Sequence, residues 1–138
     1  MKPSFALIVT LLLLLFPLSK TGLADGLPQI LAALQDSRAK LLTLVESSDS
    51  SQQKSLIDAL MASHKEIDGR VAALLSNSAT PADVKARIES FKNVWDLFKE
   101  TREKEIFPAI VAGDKAKAKG LGKGIQGERM QKMLETLK

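Results

Sequence analysis

An all-α four-helix bundle, its helices running up, down, up and down, is the fold this sequence predicts, and three observations predict it. Apolar residues recur at intervals of three and four through four stretches of the chain. Short segments separate them, SSDSSQ at 47–52, SNSATP at 76–81 and Gly113–Asp114, and connections this short make successive helices antiparallel neighbours. Strand signals are missing: there is no tyrosine, threonine is scarce, and no alternation of period two is sustained.

The first helix is expected from Leu27 to about Ser48, on a seam of Leu27, Leu31, Leu34, Arg38, Leu41 and Val45. The second runs from about Gln53 to Leu75 on Ile57, Leu60, His64, Ile67, Val71 and Leu74, with Gly69 an exposed weak point in helix propensity. The third, Thr80 to Ala112, is the longest and most aromatic, and the rest of the chain is organised around it. Thr80 is a good cap, Pro81 suits the first turn, and Asp83 places negative charge near the amino end. Its seam is Val84, Ile88, Phe91, Trp95, Phe98, Arg102, Glu105 and Ala109, widened by Val94, Leu97, Ile106 and Ile110. Pro108 cannot donate to the Lys104 carbonyl, so a bend is expected there, with one further turn beyond it. Gly113–Asp114 ends this helix and caps the fourth, about 114–137, whose core residues are Leu121, Ile125, Met130, Met133, Leu134 and Leu137. Gly120, Gly122, Gly124 and Gly127 weaken that last helix.

Ahead of the bundle, Lys2, the apolar run Phe5–Phe16 and the small residues Gly22 and Ala24 have the layout of a secretory signal. The expected division is a signal peptide at 1–24 and one helical domain at 25–138, which places the mature protein in the periplasm or outside the cell. An uncleaved amino-terminal anchor is the alternative, although the apolar run falls short of the roughly 20 residues of a membrane span. Loss of Lys2 and Lys20 would bring the net charge from +4 to +2, a near-balance that speaks against nucleic acid as a partner. The absence of cysteine excludes disulfides, thiolate-bound zinc, a lipidated amino-terminal cysteine and covalently attached haem.

The charged members of the seams are the candidate site. Arg38 and His64 lie at matched distances from the first turn, so both are expected in a mid-bundle polar layer, with Glu89 or Asp96 as acceptors for the arginine. One reading of this layer is structural. The other is a site for a small anionic or amphoteric molecule, a short organic acid or an amino acid, with Arg38 as directional donor and Trp95 and Phe91 as an apolar wall. Arg102 is a second seam cation. Counting through the last turn brings it level with Gly124, where missing side chains leave room for a second anion site. Arg38, His64, Trp95 and Arg102 are therefore the candidate ligand-binding residues. Haem ligation by His64 is a distant alternative: Met61 is one turn away on the same helix and cannot clamp the opposite face of an iron. No metal or other cofactor is called for by the spacing. GLGKGIQG at 120–127 lacks the Gly-Lys-Ser/Thr order of a phosphate loop and follows no strand. Catalytic signatures are missing too, with no cysteine, one histidine, no HExxH and no serine on a strand-to-helix elbow.

The span from Phe91 to Met133 resembles the last two helices of the four-helix-bundle sensor domain of methyl-accepting chemotaxis receptors. The resemblance rests on Trp95 and Phe98, Arg102, Pro108, Gly113–Asp114, and Ala116 with Ala118. It implies an extracytoplasmic module that binds a small ligand or a receptor partner and passes on a small helix displacement, commonly as a homodimer. The chain departs from receptor architecture in that no second apolar span or signalling region follows Lys138, so the expectation is a free-standing, non-enzymatic sensor-like bundle. A structural or protein-interaction bundle without a small-molecule site is the alternative.

Overall fold

The computed structural model describes residues 26–138; the signal-sequence expectation and the domain start at Asp25 lie outside the described residues. The fold is all-α, an up-and-down bundle of four rods. The first is α1 (Gly26–Glu46) and the second α2 (Ser50–Ser76). The third is built from α3 (Ala82–Thr101), a π-helical turn (Arg102–Ile106) and α4 (Phe107–Val111), and the fourth from α5 (Lys115–Lys123) and α6 (Ile125–Leu137). Among the described residues no helix is long and apolar enough to cross a membrane.

Local chemistry accounts for the boundaries. Asp49 caps α2, its carboxylate accepting from the Gln52 amide at 2.9 Å, which starts that helix three residues before the predicted Gln53. The expected Thr80 cap is not made: Pro81 occupies the N-cap position of α3 without a side-chain bond, and the buried Thr80 hydroxyl has no partner among the described residues. At the far end of the third rod, Asp114 N donates to Ala109 O at 2.8 Å and Gly113 N to Ile110 O at 3.0 Å. Those paired bonds are a Schellman closure, and Gly113, at φ 81°, supplies the left-handed residue it requires. Asp114 then caps α5 through the Lys117 amide at 3.0 Å. The fourth rod is not one helix, as the seam suggested, but breaks at Gly124.

The third rod is long and bent, as Pro108 requires, and the irregularity is a π turn just upstream. The Phe107 amide reaches back five residues to the Arg102 carbonyl, which accommodates one residue more than an α-turn. Below it the seam changes phase: Arg102, Ile106, Ala109 and Ile110 are buried, while Glu105, which the three-and-four count placed inward, is exposed. Leu97, Val111 and Ile125 are also on the outside, at 52 %, 67 % and 43 % exposure, so the apolar stripe is narrower than predicted.

Burial divides into two apolar clusters. One contains Leu34, Ile67, Ile88, Phe91, Trp95, Phe98, Met130 and Met133. The other contains Leu44, Leu60, Ile106, Phe107, Ile110 and Ala118. The rods pack closely in the pairs α1–α2 and α3–α6, whereas α1 touches the fourth rod only sparsely. Gly69 is exposed and an added methyl there would meet nothing within 4 Å. Gly69→Ala is therefore expected to stabilise the protein by roughly 0.5–1 kcal/mol, seen as a higher urea midpoint at unchanged slope.

Candidate functional site

Between the two apolar clusters lies a polar layer to which every rod contributes. Ser37 comes from α1, His64 from α2, Arg102 from the first position of the π turn, and Gln126 from α6; all four are buried. In each rod the polar residue falls between a residue of one cluster and a residue of the other: Leu34 and Leu44, Ile67 and Leu60, Phe98 and Ile106, Met130 and Ala118.

Arg102 is the centre of this layer and exposes none of its surface. Its Nη1 donates to the Ser37 hydroxyl and, at 3.4 Å, to His64 Nε2. The guanidinium lies 4.3 Å from the centroid of the Phe98 ring, a cation–π contact. Among the described residues no carboxylate pairs with it, and both Nε and Nη2 are buried without an acceptor. Burial alone pushes its pKa down to about 9, so at neutral pH it is still a cation.

That cation fixes the state of the histidine. A guanidinium nitrogen only donates, so His64 Nε2 must carry the lone pair and Nδ1 the proton. The Nδ1–H donates to Glu103 Oε1 at 2.9 Å. Burial, opposed by the Glu103 hydrogen bond and reinforced by the Arg102 charge, holds the His64 pKa below its ordinary value. The ring packs edge-on to Trp95 at 5.4 Å and parallel to Phe107 at 6.1 Å. Both nitrogens are engaged, leaving none for a metal. Among the described residues, no group of three or more histidine, aspartate or glutamate side chains stands where it could hold a metal ion.

A histidine with a lowered native pKa binds its proton more readily in the unfolded chain. Its contribution to stability is complete above the unfolded value near 6.5 and is lost as pH falls below that toward the native value. A decline in unfolding free energy is thus expected to begin near pH 6.5, above the carboxylate range. In His64→Gln, which keeps an acceptor for Arg102, the stability profile should stay flat from about pH 7 to 5.5, as chemical denaturation at a series of pH values will show.

The layer opens on one side into a cavity of about 710 Å³ between α1 and the fourth rod. Arg102 and Phe98 are part of its lining, as are Leu41, Val45, Met130 and Leu134, with Arg38, Lys119 and Lys123 at its edges. Gly122 and Gly127 also line it. Their missing side chains are the local cause of the space, together with the sparse contact between α1 and the fourth rod.

The four sequence candidates are distributed as follows. His64 and Arg102 are in direct contact within the layer. Trp95 is fully buried against His64, and its indole N–H is taken by Asp68 Oδ1 at 2.8 Å, which also accepts from Lys99. Arg38 is exposed and belongs to the cavity's edge rather than the layer. The expected Arg38–His64 pair is not formed: the inward face of α1 follows Leu27, Ile30, Leu34, Ser37 and Leu44, one residue earlier at this level, so Ser37 rather than Arg38 enters the layer and meets Arg102. The aspartate expected to answer Arg38, Asp96, pairs with Lys92 at 2.6 Å instead. Sequence reading missed Ser37 and Gln126. Neither is distinguishable by type from a surface residue, and only the corrected phase of α1 and the break at Gly124 turn them inward. Gln126 is held by its Nε2 donating to Phe98 O at 2.9 Å, and its Oε1 accepts from Arg129.

Comparison of the chain with protein-family models, with curated proteins and with solved structures finds no match.

Proposed function

We propose that this bundle is a non-enzymatic, sensor-like binding module whose ligand is a small molecule carrying an anionic group, held between α1 and the fourth rod. One observation carries the reading: Arg102 is a buried cation with two nitrogens, Nε and Nη2, that find no acceptor among the described residues, at the wall of a cavity of ligand size. A buried guanidinium without a carboxylate is costly to keep, and an anion delivered through the cavity would supply the missing acceptors. The resemblance to chemotaxis-receptor sensor domains supports the same class of role. It suggests an extracytoplasmic location, a membrane receptor as protein partner and a homodimer as the working form.

The test is calorimetry of the protein without residues 1–24 against a panel of short organic acids and amino acids, repeated with Arg102→Met. Binding by the native protein should weaken roughly 10- to 150-fold in the variant, the loss of a charge-assisted contact. Equal binding by a folded Arg102→Met protein would remove the assignment. A panel in which nothing binds would favour the alternative, a structural or interaction bundle in which the layer serves only the fold.

A further inference from the structure

The cavity's charge and shape go further than "anion". Resting on the function proposed above, we infer that the ligand is an amphiphilic monocarboxylate: one carboxylate for Arg102 and an unbranched or flat apolar body of several carbons, with no ammonium group.

Three features select that class. The first is the imbalance of charge. Arg38, Arg102, Lys119 and Lys123 contribute to the lining, against a single acid, Glu46. Glu46 is already paired with Lys119 at 3.0 Å, at the end of the cavity away from the layer. An amino acid bound by its carboxylate at Arg102 would bring an ammonium group next to a guanidinium, with Phe98 and Met130 rather than an acid nearby. Like charges repel strongly beside a guanidinium so deeply buried. The second is the wall. It is predominantly apolar, with Leu41, Val45, Phe98, Met130 and Leu134 among its members, and a dicarboxylate or hydroxy acid would have to desolvate its second polar group against them. The third is size: about 710 Å³ is well beyond what a two- or three-carbon acid fills.

Arg102 belongs to the lining but exposes none of its surface, so its guanidinium is covered by neighbouring side chains. A carboxylate therefore reaches Nε and Nη2 by displacing a neighbouring side chain. Met130, unbranched and 8 % exposed in the same lining, is suited to give way.

The experiment is a titration series with acetate, butanoate, hexanoate, octanoate and decanoate, all below their micelle-forming concentrations, alongside norleucine and hexanedioate. It is read by calorimetry for the native protein, Arg102→Met and Gly122→Leu. A Cβ added at Gly122 meets nothing within 4 Å, and a longer side chain there extends along the cavity that this residue lines. It also replaces glycine by a better helix former, so this second variant keeps its fold. Affinity of the native protein should rise about three- to fourfold per methylene from butanoate to octanoate. Norleucine and hexanedioate should each bind at least tenfold more weakly than hexanoate. Arg102→Met should lose the anion-dependent part, and Gly122→Leu should abolish the dependence on chain length. If affinity is flat along the series, or norleucine matches hexanoate, the ligand class is wrong, while Arg102-dependent binding of acetate would leave the anion-binding reading standing. If affinity rises with length but is unchanged in both variants, the acids are adhering elsewhere and both readings fail. If no acid binds, both readings fail as well.

Discussion

Trp95→Ala is expected to lower the unfolding free energy by roughly 3–5 kcal/mol. The side chain is fully buried. Its ring stacks on Phe91 at 6.0 Å and on Phe98 at 5.8 Å, and His64 meets it edge-on. Truncation would open a void beside the polar layer, where the rigid rings around it cannot collapse into the space. Loss of the indole N–H is a smaller matter, because Asp68 keeps Lys99 at 2.7 Å. Trp95→Phe separates the two contributions, retaining most of the packing while giving up the bond to Asp68, and should cost about 1–2 kcal/mol. Guanidinium titration of both variants, with equal slopes, is the measurement. A loss below about 1 kcal/mol for Trp95→Ala would mean that the third rod is not packed as described.

Arg102→Met is expected to act in the opposite direction, raising stability by roughly 1–3 kcal/mol at pH 7. Methionine fills a similar volume without the penalty of a buried charge, and the gain is reduced because the Ser37 hydroxyl and His64 Nε2 lose a donor. The pH dependence identifies the cause. The native pKa of Arg102, about 9, lies well below the ordinary guanidinium value, so the unfolded chain holds this proton more tightly. The penalty is therefore present in full below pH 9 and shrinks as pH rises above that, by about 1.4 kcal/mol per pH unit. The stability advantage of the variant should be constant from pH 7 to 8 and visibly smaller at pH 10. An advantage that does not change with pH would point to packing rather than charge. Arg102→Ala, which leaves the charge out but a hole in its place, should show little or no gain.

The architecture was open to sequence reasoning because it depends on quantities that sequence displays. The seams of α2 and α3 are in phase from Leu60 to Leu74 and from Ile88 to Arg102, where aliphatic and aromatic residues alternate with charge unambiguously. Arg102 was legible as a seam cation, whereas the room expected beside it at Gly124 lies at Gly122 and Gly127 instead. The phase of α1 was not legible in the same way. Leucines occupy so many of its positions that two adjacent faces fit equally well, and the choice between Ser37 and Arg38 is made by tertiary packing. The π turn was hidden as well. Its extra residue carries no sequence mark beyond Pro108 downstream, and an uninterrupted three-and-four count runs straight through it to Glu105. The cavity depends on both: the turn sets the level of Arg102, and the phase of α1 sets what stands across from it.

The layer has one more consequence, for alignment along the bundle axis. Smooth seams of leucine, isoleucine and valine repeat themselves every seven residues, so two rods can slide past one another by about 10 Å and find apolar contacts again. Such a slip of α2 would present Ile57 or Val71 to Arg102 in place of His64, leaving the one remaining acceptor on that side lost to the guanidinium. The buried charge thus penalises every displaced arrangement more than the native one, and its cost to stability is what separates them. In Arg102→Met that distinction disappears. The more stable protein should also be the less singular one, with amide resonances of α2 and the third rod broadened by exchange between alignments.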